Sequence, residues 1–89
     1  MTHYFLHVRN GQGYTRDEEG QDFADLPAAR AKAAESVRSI ISEEARAGVI
    51  DLRGEIEIAD AADVVALVYG FGEAIEILQG KPPQGPAGT

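Results

Sequence analysis

The stretch "DLPAARAKAAESVRSIISEEARAG" (residues 25–48) decides the fold. Its apolar residues fall at 26, 29, 33, 37, 40, 41 and 45, a helical spacing that makes one stripe. Asp25 is an N-cap candidate: its carboxylate can accept from the open N–H groups of the first turn and suits the positive end of the dipole. Pro27 stands in that first turn, where a missing N–H costs nothing. Gly48 fits the position just past the C-terminus. The spacing therefore predicts one helix over 26–47, about 33 Å long. Its stripe begins with small alanines, which allow close packing on a sheet, and ends with Val37, Ile40 and Ile41.

Upstream, "HYFLHVR" (3–9) is aromatic and β-branched and reads as a strand. Tyr4, Leu6 and Val8 share one face; His3, Phe5, His7 and Arg9 share the other. "NGQG" (10–13) is a hairpin signal, since Asn and Gly both tolerate positive φ. "YTRD" (14–17) returns, and "EEGQDFA" (18–24) carries a turn at Gly20 and a short extended piece. Downstream, "EIEIA" (55–59) alternates, with Ile56 and Ile58 inward and Glu55 and Glu57 outward. "DAAD" (60–63) is a turn and "VVALVYGF" (64–71) a strand apolar on both faces. "EAIEIL" (73–78) fits either a helical turn or a short strand. The tail 79–89 is rich in Pro, Gly and Gln and is expected to be disordered. The order β-β-α-β-β predicts an α+β domain over 1–78: a four-stranded, mostly antiparallel sheet with one long helix on one face.

The chain has 89 residues, enough for one small domain. It has no cysteine, which excludes disulfides, thiolate metal ligands and a cysteine nucleophile. With no disulfide framework, no positively charged leader and no apolar run near the roughly 20 residues of a membrane span, the expected location is cytoplasmic. A net charge of −7 disfavours direct nucleic-acid binding, which needs a basic stripe.

One helix covers one side of such a sheet, so apolar residues on the other side mark an interface. Phe5 and His7 on the first strand, with Val65, Leu67 and Tyr69 on the last, form the candidate interaction surface, and a homodimer through this face or a free edge is the expectation. The acidic run "RDEEGQDFADL" (16–26) suggests a cation loop at first sight. A calcium loop of the EF-hand type started at Asp17 would place Asp22 where glycine is required and Ala28 where the bidentate glutamate is required, so that geometry fails. The run reads instead as a hinge: Gly20 turns, Asp25 caps, and Arg30 is the expected partner of Asp17 or Glu19. His3 and His7 lie about 13 Å apart along one strand and cannot share an ion within one chain. No serine stands in a nucleophile elbow, and "GQG" (11–13) and "GFG" (70–72) lack the remaining glycines of a phosphate loop. No cofactor, metal or catalytic residue is expected.

Tyr4, Phe5, His7, Arg9, Gly11, Asp17, Glu19, Gly20, Asp25, Leu26, Ala29, Arg30 and Ala33 together resemble the pattern Y-F-x-H-x-R-x-G, D-x-E-G, D-L-x-x-A-R. It is that of short bacterial proteins, frequent in alphaproteobacteria, whose shared domain has no assigned function. "IEIAD" (56–60) fits the family's third strand, but "AADV" (61–64) stands where an acidic-glycine turn is usual. A weaker likeness runs to HicB-type antitoxin domains, which place a glycine-turned meander before a "DL" helix start. That likeness implies a small basic protein as partner, although the usual S-F-P-D-L run is missing. The leading expectation is a small, non-enzymatic, self-associating binding module. An antitoxin-like or regulatory partner of a basic protein stands second, and a metal-dependent enzyme with an inter-subunit site third.

Overall fold

The computed structural model describes residues 1–80. Its elements are β1 (Thr2–Asn10), β2 (Gly13–Thr15), β3 (Gln21–Phe23), α1 (Leu26–Ala47), β4 (Glu55–Ala59), β5 (Val65–Gly70) and a 3-10 turn, Phe71–Ala74. The sheet has five strands, all paired antiparallel, in the order β2-β1-β4-β5, with β3 also paired to β1. The architecture is the predicted α+β class with one strand more than expected. The extra strand is the short extended piece before the helix. Part of the expected tail, residues 81–89, lies outside the described residues.

β2 and β3 lie end to end on the same edge of β1. β2 pairs with Val8–Asn10, and β3 pairs with Thr2–Tyr4. Phe5–Arg9 pair with β4 on the opposite edge. The loop 16–20 thus spans a gap in the outer strand, facing residues 5–7 of β1.

The helix begins and ends as its sequence dictates. Asp25 Oδ1 accepts from the Ala28 amide at 2.9 Å. Gly48 adopts φ 95° and donates to the carbonyls of Glu44 and Ala45. Ala29, Ala33, Ala34, Val37 and Ile41 are its buried residues. They meet Ile56, Ile58, Tyr69 and Phe71, with Phe23 closing one end. The buried positions run from the small Ala29, Ala33 and Ala34 to the larger Val37 and Ile41. Ala45, the last residue of the predicted stripe, is exposed because the sheet no longer lies beneath it.

The 3-10 turn resolves part of the ambiguous 73–78 segment. Phe71 and Ala74 are buried, the Phe71 amide donates to Gly54 O, and Arg38 Nε donates to Ala74 O at 2.8 Å. The chain turns off the sheet and docks against α1. Ile75 is already extended and packs on the core.

Candidate functional site

The gap between β2 and β3 is filled by a side chain. Asp17 Oδ2 accepts from the Leu6 amide at 3.1 Å, where a strand carbonyl would otherwise sit. Its Oδ1 accepts from the amides of Glu19 and Gly20 at 3.3 and 3.1 Å. Burial pushes this carboxyl's pKa up, but the three backbone donors together hold it below the usual aspartate value. Gly20 turns the loop at φ 67°, and a Cβ there would lie 2.6 Å from His3 Nε2 and 2.8 Å from Tyr4 O, so no side chain fits.

Two histidines hold this loop with opposite hydrogen-bonding roles. His3 Nδ1 lies 2.7 Å from Asp22 Oδ1, and its Nε2 lies 2.7 Å from Glu19 O. Both neighbours are acceptors, so the doubly protonated ring satisfies both contacts. The Asp22 carboxylate, then the Glu19 carbonyl, raise the His3 pKa. His7 Nδ1, by contrast, accepts from the Asp17 amide at 2.9 Å. That bond requires a neutral ring with its proton on Nε2. His7 is 2 % exposed, and its Nε2 has no hydrogen-bond partner. Asp63 Oδ1 stands 3.5 Å away.

Asp63 reaches that position because the β4–β5 turn curls onto the sheet face opposite the helix. Asp60 ties the turn through bonds to the amides of Ala62 and Val64, and its carbonyl accepts from Asp63 N. Asp63 takes φ 65°, a left-handed conformation that an aspartate tolerates better than most residues. Arg16 closes over it at 3.0 Å. Beside this pair, Arg9 and Tyr14 both bond Glu57, at 3.0 and 3.2 Å, and the Arg9 guanidinium sits 4.7 Å from the Tyr14 ring centroid. His3, Phe5, His7 and Tyr14 form a ladder of neighbouring rings along the same face.

Most polar groups of this cluster are already engaged, His7 Nε2 being the exception. His7 Nδ1 has its lone pair engaged by an amide, so neither ring nitrogen is free to take a proton from a substrate. Asp63 and Glu57 each face a guanidinium. Among the described residues, no group of three or more metal-ligating side chains comes together. A separate open groove of about 370 Å³ lies between the β1–β2 turn and the α1–β4 loop, lined in part by Asn10, Gln12, Glu44 and Asp51. Asp51 there is bound by Arg53 Nε and Nη2, both at 2.9 Å, which brings its carboxyl down to about 2.

The predicted surface residues divide. Phe5 and His7 lie on the face away from the helix, His7 beneath Asp63. Leu67 and Tyr69 pair with Ile58 and Ile56 and so face the helix; Tyr69 is 2 % exposed and belongs to the core. A register shift opposite Ile58/Ala59 leaves Ala66 unpaired, so Val65 and Val68 both fall on the outer side. That pair, with Val64, is the exposed apolar group of β5. The hinge residues Asp17, Glu19 and Gly20 act together, and Asp25 caps, but Arg30 does not join them. It pairs with Glu73 at 3.3 Å and lies over the Tyr69 ring at 4.7 Å, because the 3-10 turn, not the acidic loop, comes alongside the first turns of α1. Sequence reasoning passed over Asp63, whose signal was the absence of glycine from a turn that needs positive φ.

The fold and this face define a small two-layer α+β domain whose sheet, among the described residues, is half covered and has one open apolar edge. Residues 3–71 match the family described as Domain of unknown function (DUF6894), and the chain belongs to that family. This agrees with the expectation of a domain family with no assigned function. Among curated protein sequences and among solved structures, nothing matches. No helix of the described residues is long and apolar enough to cross a membrane.

Proposed function

We propose that this domain is a non-enzymatic protein-interaction module that self-associates through the free edge of β5 and the apolar side chains beside it. The observation that supports the reading is the contrast between the two edges of the sheet. One edge is divided between two three-residue strands, with an aspartate carboxylate on the amide between them. The other is the six-residue run "VALVYG", with no charged side chain, no proline and, among the described residues, no strand beyond it. Edge strands are usually protected by charge, proline or a cover, because their open N–H and C=O groups recruit another strand. Val64, Val65 and Val68 are 58 %, 46 % and 46 % exposed at this edge. A second copy suits it: the chain carries −7 overall, yet β5 brings no charged side chain of its own to the contact.

Light scattering on a size-exclusion column tests the proposal. The full chain should run at about twice its 9.5 kDa mass at low micromolar concentration, and V65K/V68K should run as a folded monomer. A monomer mass for the unaltered chain at every concentration would remove the reading.

A further inference from the structure

Four residues beyond the 3-10 turn are built like a strand and, among the described residues, have none to pair with. "IEIL" (75–78), between Gly72 and Gly80, carries two β-branched residues and a leucine around a single glutamate. Ile75 has strand dihedrals, φ −139° and ψ 161°, and packs on the core. Ile77 and Leu78, by contrast, are 59 % and 83 % exposed. The segment cannot fold back as a hairpin onto its own β5. Ala74 is buried and held by Arg38 on the helix side, and Phe71 is held by Gly54. The sequence thus encodes a strand that, among the described residues, the monomer does not pair, a local preference at odds with its surroundings.

We infer that residues 76–79 of one chain add as an outer strand to the β5 edge of a second copy, and that the exchange is reciprocal. This rests on the self-association proposed above and names the element that completes it. Successive residues of a strand face opposite sides of the sheet, so Ile77 and Leu78 must be covered on both. β5 offers apolar side chains on both sides: Val65 and Val68 on the outer face, and the half-buried Leu67 on the helix face. A polar-faced edge could accept only one of the two. The exchange also satisfies the open backbone groups of β5 and of 76–79 together. A two-fold axis makes the contact twice per dimer, so each substitution in the segment counts double.

The experiment compares the full chain with I77E/L78E by analytical ultracentrifugation, and follows amide exchange of residues 76–79 across the same dilution series. Both side chains are exposed in the monomer, so the variant should fold with an unchanged circular dichroism spectrum. Its dimer dissociation constant should rise at least about 100-fold. The amides of 76–79 should be protected in the dimer and lose protection on dilution. A variant that dimerises as tightly as the unaltered chain would overturn the exchange while leaving β5 pairing intact, as would a dimer whose 76–79 amides exchange freely. An unaltered chain that is monomeric throughout would overturn both.

Discussion

Asp17→Asn removes one charge and almost no volume, which makes it a sharp probe of the gap in the outer strand. The carboxylate serves three amides: Leu6 through Oδ2, and Glu19 and Gly20 through Oδ1. An asparagine has one acceptor oxygen. If that oxygen keeps the two turn amides, its NH₂ group faces the Leu6 N–H, donor against donor. If it flips, the turn loses both bonds. The Leu6 amide is part-buried within the sheet, where another acceptor is hard to supply, so at least one donor is left open at a cost of roughly 1–3 kcal/mol. At about 4–8 °C per kcal/mol for a domain of this size, a loss near 2 kcal/mol lowers Tm by about 8–16 °C. The assay is thermal unfolding by circular dichroism at one fixed protein concentration, because self-association would itself raise Tm. Glu18→Gln is the control; Glu18 makes no hydrogen bond or ion pair among the described residues, and its Tm should not move. The effect also has a pH signature. The Asp17 carboxyl is lower in the folded chain than in the unfolded one, so its stabilisation is present above the unfolded aspartate value of about 3.9 and is lost as pH falls through the folded value. The gap between D17N and the unaltered chain should therefore close in acid. A D17N protein melting within about 2 °C of the original at neutral pH would show that the carboxylate does not hold the edge.

Two further outcomes follow from neighbouring groups. His3 has a raised pKa, so its contribution to stability is complete below the unfolded histidine value of about 6.5 and is lost as pH rises through the folded value; an NMR titration of the ring should give a midpoint above that of an unfolded peptide, and Asp22→Asn should bring it down. Asp25→Ala removes the cap bond to Ala28 and should cost ~1 kcal/mol in urea unfolding, with a midpoint unchanged from the original counting against the cap.

The helix and both hairpins were legible because each rests on a local signal. The stripe of 26–41, the Asp25 cap and Gly48 act within a few residues of one another. "NGQG" and "EIEIA" likewise carry their own turn and period. What was not legible depends on partners distant in sequence. β3 is only three residues long, and nothing in "QDF" shows that it pairs with Thr2–Tyr4. Which side of β5 faces the helix was left open by a strand apolar on both sides, and the register shift at Ala66 then placed Val65 and Val68 on one side despite their odd spacing. The acidic loop before the helix suggests Asp17 or Glu19 as the partner of Arg30, whereas Glu73, 43 residues away, lies beside it in space. The strand period puts His7 on the correct face beside Phe5, but its cover by Asp63 and Arg16, from two separate turns, has no local signal.

The arrangement around His7 weighs against reading this face as a catalytic centre and in favour of reading it as a fastener. A histidine beside an aspartate invites comparison with a general base, but a base needs one nitrogen held and the other free. Here Nδ1 receives an amide proton from the loop, and Nε2 points its own proton at a carboxylate that Arg16 already holds. Every charged group in the cluster is matched by a neighbour on a different element: Arg16 after β2 with Asp63 of the β4–β5 turn, Arg9 of β1 with Glu57 of β4. Such cross-links tie β1, β2, β4 and the turn before β5 into one unit. β5 itself supplies no charge to this network. The strand that the network leaves out is the one whose edge is open among the described residues, and under the self-association proposed above the cross-linked sheet behind it would lower the conformational cost of accepting another strand there.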